Sequence, residues 1–120
     1  MHYTLMVLGT NPAKQLAPYE AGAGTKSDKW DWYDLEEVQG GLPLYAGAIG
    51  KLGRPHGECK TVQARRKDIN VDAIEVLPKA ILVNGDWIED EGRVGWDEFV
   101  KTAIYQQSPD TLVTLVECHI

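Results

Sequence analysis

A chain of 120 residues with 43% hydrophobic and 25% charged residues has the length and balance of one soluble globular domain, and this excludes a fibrous or disordered chain. Its 12 basic and 18 acidic side chains give a net charge of −6, which argues against unaided contact with a phosphate backbone and suits either simple solubility or a partner with a basic surface. Two cysteines are too few for a disulfide framework, and neither a leader-like start nor a membrane-length apolar run stands out, so a cytoplasmic protein without membrane contact is expected.

The first predicted element is a strand from Tyr3 to Leu8, with His2 at its outer end and Gly9 and the turn signal Asn11-Pro12 after it. Pro12 suits the first turn of a short helix through Ala17, which Pro18 ends. Residues 20–28 are small, polar and glycine-rich, and predict a surface loop without a phosphate-binding fingerprint. Lys29-Trp30-Asp31-Trp32-Tyr33-Asp34-Leu35 then gathers aromatics with interleaved acids. If this segment is extended, Trp30 and Trp32 share one face and Asp31 and Tyr33 the other. Aromatics of this size pack into a core or cover a sheet face; exposed, Trp30, Trp32 and Tyr33 would supply a recognition surface.

From Gly41 to Gly57 the chain is rich in glycine, proline and small apolar residues, and predicts a winding connection. His56 and Cys59 have a local ligand spacing, but two ligands fall short of a structural metal site, and no metal or cofactor is expected. Lys60 to Lys67 is locally basic but too short to make the domain a nucleic-acid binder. Asp68 to Leu77 predicts a short helix, capped near Asp68 or Asn70 and closed by Pro78.

Ala80 to Val83, Asn84-Gly85 and Asp86 to Ile88 form the clearest local pattern, because Asn-Gly between apolar runs favours a two-residue hairpin turn. Asp86, Glu89, Asp90 and Glu91 make the hairpin acidic, and Asp97 and Glu98 continue the charge. These acids fit a solvated loop and a helix start, and they also fit a patch that docks on a basic protein surface. Trp96 to Gln107 repeats apolar residues at helical spacing, Ser108-Pro109-Asp110 stops it, and Thr111 to Ile120 is a terminal strand.

This order predicts a single α+β domain over residues 1–120, with an antiparallel sheet and helices on one face. The expected arrangement is ferredoxin-like, with the terminal strands adjacent and the glycine-rich middle as an insertion. If those strands pair in register, His2, Glu117 and His119 share one face and Cys118 takes the other. Two imidazoles and a carboxylate could bind a divalent metal or transfer protons, and the same residues also fit a polar sheet end near solvent.

The blocks HYTLMVLG, QLAPYE, KWDWY followed by GG, VQARRKDI, GDW with VGW, and PDTLVTLVECHI resemble a family of small uncharacterised bacteriophage and prophage proteins, in patches across nearly the whole chain. The resemblance implies a phage-derived protein in the cytoplasm of a bacterial host and supplies no activity. The chain departs from the family pattern at Leu42-Pro43, where relatives continue with Arg and Trp, and Asp34 to Gln39 looks like added length. The expected function is that of a protein-binding accessory module rather than an enzyme. It would engage a host protein with a basic surface, alone or as a homodimer, and modulate or inhibit a defence or nucleic-acid-handling protein without itself contacting nucleic acid. The alternative is a small metal-dependent or acid–base enzyme using His2, Glu117 and His119.

Overall fold

In a computed structural model, which describes residues 2–24, 28–34, 63–73, 77–92 and 94–120, the two ends of the chain pair as neighbouring strands. β1 (His2–Leu8) runs antiparallel to β6 (Leu112–His119), from His2 opposite His119 to Leu8 opposite Val113. Both strands are apolar on both faces through their middles, and each has neighbours on both sides, as a doubly covered strand requires.

The chain continues through α1 (Pro12–Leu16), a 3-10 turn at Ala17–Tyr19, and β2 (Trp32–Asp34). After β3 (Gln63–Arg65) come 3-10 turns at Arg66–Asp68 and Val71–Ala73, then β4 (Ala80–Val83), β5 (Asp86–Glu89) and α2 (Trp96–Tyr105). The strands form one six-stranded sheet in the order β2-β6-β1-β4-β5, with β3 paired beside β2 along the other half of β6. The Asn-Gly hairpin forms as its sequence predicts: Val83 faces Asp86, and Asn84 and Gly85 take φ of 51° and 82°.

Three finer expectations are corrected by this architecture. The sheet is mixed, because β4 runs parallel to β1, with Leu5 opposite Ala80 and Leu8 opposite Val83. A ferredoxin-like sheet separates that parallel pair with another strand, whereas here β4 lies directly beside β1 and only the adjacency of the terminal strands is shared. The chemistry of the hairpin accounts for this choice. Ala80-Ile81-Leu82 is buried and suits the inner position, whereas the acid-bearing β5 suits the edge, where charge discourages further pairing.

The helices also occupy opposite faces. α2 buries Trp96, Val100 and Ile104 in one core with Met6, Leu8, Ile81, Val113 and Leu115. On the other face, Leu16 of α1 and Tyr19 join Leu5, Val7, Leu82, Val116 and Cys118, with Trp30 among them. Strand alternation is what divides Leu5 and Val7 from Met6 and Leu8, so each face of β1 needs its own cover. Burial of each large aliphatic side chain contributes about 1.5–3 kcal/mol to these layers.

The helix expected from Asp68 to Leu77 gives way to the two 3-10 turns within the described residues. Ile69 leaves the helical region at φ −99° and ψ 124°, and both Ile69 and Val71 enter the core beneath α2. Burial of these β-branched side chains outweighs the weak helical pattern. His56 and Cys59 lie outside the described residues.

Candidate functional site

The polar end of the β1–β6 pair brings together residues from three strands. His2 and His119 are directly opposite in the register, and Thr4 faces Glu117. Their alternation places His2, Glu117 and His119 on the same sheet face, as the sequence predicts, with Cys118 buried on the other. His2 Nδ1 lies 3.4 Å from Glu117 Oε1, and the two imidazole rings meet edge to face with centroids 5.0 Å apart.

The structure adds two members that alternation alone did not identify. Asp31 Oδ1 lies 2.7 Å from His119 Nδ1, and the Asp31 backbone N–H donates to the His119 carbonyl at 2.7 Å. β2 then pairs Trp32 opposite His119. The indole stacks on the His119 ring with 7° between planes and 5.3 Å between centroids, and it meets His2 edge-on at 5.3 Å.

Trp30 and Trp32 therefore do not share a face. The regular strand begins only at Trp32, so the alternation expected across Lys29 to Leu35 does not reach back to Trp30. Trp30 is 8% exposed, donates its indole N–H to the Leu16 carbonyl at 2.9 Å, and packs edge to face with Tyr33 at 4.7 Å. Trp32 remains 45% exposed. Of the proposed aromatic recognition residues, Trp30 is core, Tyr33 packs against that core, and Trp32 alone presents a large open surface.

Each histidine has its own carboxylate neighbour. When Asp31 is ionised, a hydrogen on His119 Nδ1 can donate to it and leave Nε2 as the proton-accepting nitrogen. A hydrogen-bonded orienting carboxylate is a recurrent support for general-base histidines and for metal-binding ones. Among the described residues, however, no group of three or more His, Cys, Asp or Glu side chains is arranged to hold a metal ion. The geometry thus offers a paired imidazole surface with an indole laid across it.

The acidic hairpin lies at the opposite edge of the sheet from β2. Glu89 is engaged internally: Lys29 Nζ lies 2.6 Å from its Oε1, and the Trp87 indole N–H donates to the same oxygen at 2.8 Å. The Lys29 ammonium, with help from that indole N–H, holds the Glu89 carboxyl below its ordinary range against an opposing effect of burial. Asp90 accepts the Gly92 backbone N–H at 3.1 Å, while Asp86 and Glu91 are exposed. Residues 28–32 link the two edges, since Lys29 reaches Glu89 and Trp32 pairs with β6.

On the face away from the histidines, the Tyr3 hydroxyl donates to the Lys29 carbonyl, and burial pushes the Tyr3 hydroxyl pKa upward. Burial likewise raises the Cys118 thiol to about 12. No helix among the described residues is long and apolar enough to cross a membrane. Comparison of the chain with protein-family models, curated proteins and solved structures gives no match.

Proposed function

We propose that this chain is a protein-binding module, a phage-derived accessory protein that acts in the bacterial cytoplasm. In this reading it engages a basic host protein and modulates or inhibits a defence or nucleic-acid-handling activity. The observation that carries the reading is Trp32, a large aromatic left 45% exposed and stacked on His119. Exposed aromatics of this kind often supply a disproportionate share of binding energy.

Asp31 and Glu117, each beside a histidine that touches the indole, give the patch its preference for a cation. An Arg or Lys side chain of the partner can lie over the indole while its charge faces these carboxylates. The test is capture of partners from bacterial lysate by the native protein and by Trp32→Ala, followed by affinity measurement with the purified partner. The reading expects a basic partner whose affinity falls at least about tenfold in the variant. Identical partner profiles and equal affinities would rule it out.

The His119–Asp31 hydrogen bond also favours a second reading, in which His119 and His2 perform acid–base chemistry with Glu117 beside them. In this case His119→Ala and His2→Ala would each abolish turnover while leaving the fold intact. A screen of hydrolytic and isomerisation substrates showing equal rates with and without the protein would count against it.

A further inference from the structure

We propose that the cavity between Tyr3 and Trp87, on the opposite sheet face from the histidines, binds a small organic anion carrying a flat aromatic group. The cavity is about 160 Å³, below the usual range for drug-sized ligands, and therefore suits a compact molecule. Its two aromatic walls stand nearly at right angles, with 74° between planes and 6.4 Å between centroids. Each wall also carries an ammonium, Lys29 at 5.8 Å from the Trp87 centroid and Lys79 at 5.7 Å from that of Tyr3, so a flat ring here would pack among aromatic and cationic groups.

The charged side chains of the lining are the Lys29–Glu89 pair, Lys79 and Asp28. Lys29 is 2.6 Å from Glu89, and Glu89 also accepts the Trp87 indole N–H, so this pair is already neutralised and hydrogen-bonded. Lys79 lies 5.7 Å from the Tyr3 ring centroid, and among the described residues no carboxylate is within ion-pair distance of it. Asp28 also lines the opening, but its Oδ1 accepts the Gly22 backbone N–H at 3.2 Å. Lys79 is therefore the group suited to meet a ligand carboxylate while the aromatic corner holds the ring.

The walls are fixed before any ligand arrives. The Tyr3 hydroxyl donates to the Lys29 carbonyl, and Trp87 packs against Tyr19 with centroids 5.1 Å apart. The Tyr19 hydroxyl in turn donates to the Gly85 carbonyl at 2.5 Å. Such preorganisation reduces the ordering cost of binding.

Benzoate, benzamide and benzylamine provide the test, because they share a ring and differ in charge. Each is titrated into the full chain while the Trp87 indole N–H is followed by NMR. The expected result is a saturable shift with benzoate, binding weaker by about tenfold for the other two, and a similar loss of benzoate affinity in Lys79→Met. Trp32→Ala, on the opposite face, should leave benzoate binding unchanged, which separates this site from the proposed protein-binding surface. No saturable benzoate shift, equal binding of benzamide, preference for benzylamine, or undiminished binding by Lys79→Met would overturn the assignment. Retention of the native amide spectrum establishes that Lys79→Met is folded.

Discussion

His119 Nδ1 and Asp31 Oδ1 lie 2.7 Å apart although 88 positions separate them in the chain. The contact depends on the Asp31 N–H to His119 carbonyl bond, which docks the approach to β2 against the end of β6. A side-chain pair held through backbone pairing fixes the imidazole more firmly than a bond between two free surface groups would. The consequence is a defined tautomer: neutral His119 should carry its hydrogen on Nδ1.

Asp31→Ala tests this directly. Long-range nitrogen–proton NMR should show predominantly the Nδ1–H tautomer in the native protein and a shift toward Nε2–H in the variant. Because Asp31 is 45% exposed, the stability cost should be small, within about 1 kcal/mol. A spectrum unchanged by the substitution would mean that the hydrogen bond does not orient the ring in solution.

The two tryptophans beside Asp31 should respond very differently to truncation. Trp30→Ala removes a buried ring and leaves the Leu16 carbonyl without its donor, so a loss of about 3–5 kcal/mol is expected by denaturant unfolding. Trp32→Ala removes a partly exposed ring and should cost about 1 kcal/mol or less. Equal losses would contradict the division of this segment between core and surface.

Much of this arrangement is legible in the residues themselves, and its limits have physical causes. The apolar terminal strands and the Asn84-Gly85 hairpin follow from local chemistry, and the His2–His119 pairing follows once the terminal strands align. Direct pairing of β4 with β1 is less accessible, because either strand of a hairpin can dock and only the burial of Ala80 to Leu82 decides between them. The separation of Trp30 from Trp32 depends on where regular strand geometry begins, which a window of alternating residues does not specify. Asp31 belongs to the histidine cluster through a long-range contact that carries no motif. The half-buried pairing of Lys29 with Glu89 is equally nonlocal, so the acidic hairpin reads as more exposed in sequence than it is.

That Lys29–Glu89 pair gives stability a definite pH dependence. The Glu89 carboxyl is held below its ordinary value of 4.5 in the folded chain, so the folded state favours its ionised form. Its contribution is fully present above the ordinary carboxylate range and fades as pH falls through the depressed folded value. Glu89→Gln should lower stability at neutral pH by about 1 kcal/mol and show a shallower loss on acidification. Urea unfolding of both proteins across the acidic range measures the difference; parallel curves would remove Glu89 as its source.

Cys118 should be chemically silent until the sheet opens. Its side chain is fully buried and its thiol is pushed up to about 12, so both access and thiolate content are suppressed at neutral pH. Alkylation mapped by mass spectrometry should show Cys118 modified only under conditions that unfold the β1–β6 pair. Rapid labelling at this position in the native protein would contradict its burial between the sheet and the α1 layer.

Gly85 connects the hairpin to that same α1 layer. Its φ of 82° lies in the left-handed region, and a Cβ built there meets nothing within 4 Å, so Gly85→Ala introduces backbone strain without a side-chain clash. The expected cost is about 1 kcal/mol. Tyr19→Phe should also destabilise the protein by about 1 kcal/mol, because it removes the 2.5 Å hydrogen bond to the Gly85 carbonyl while keeping the ring beside Trp87. The two changes act on one turn, so the double variant should deviate from additivity if the strained glycine relaxes away from the hydroxyl. A double-mutant cycle measured by thermal unfolding resolves this, and strict additivity would show that the hydrogen bond tolerates the altered turn.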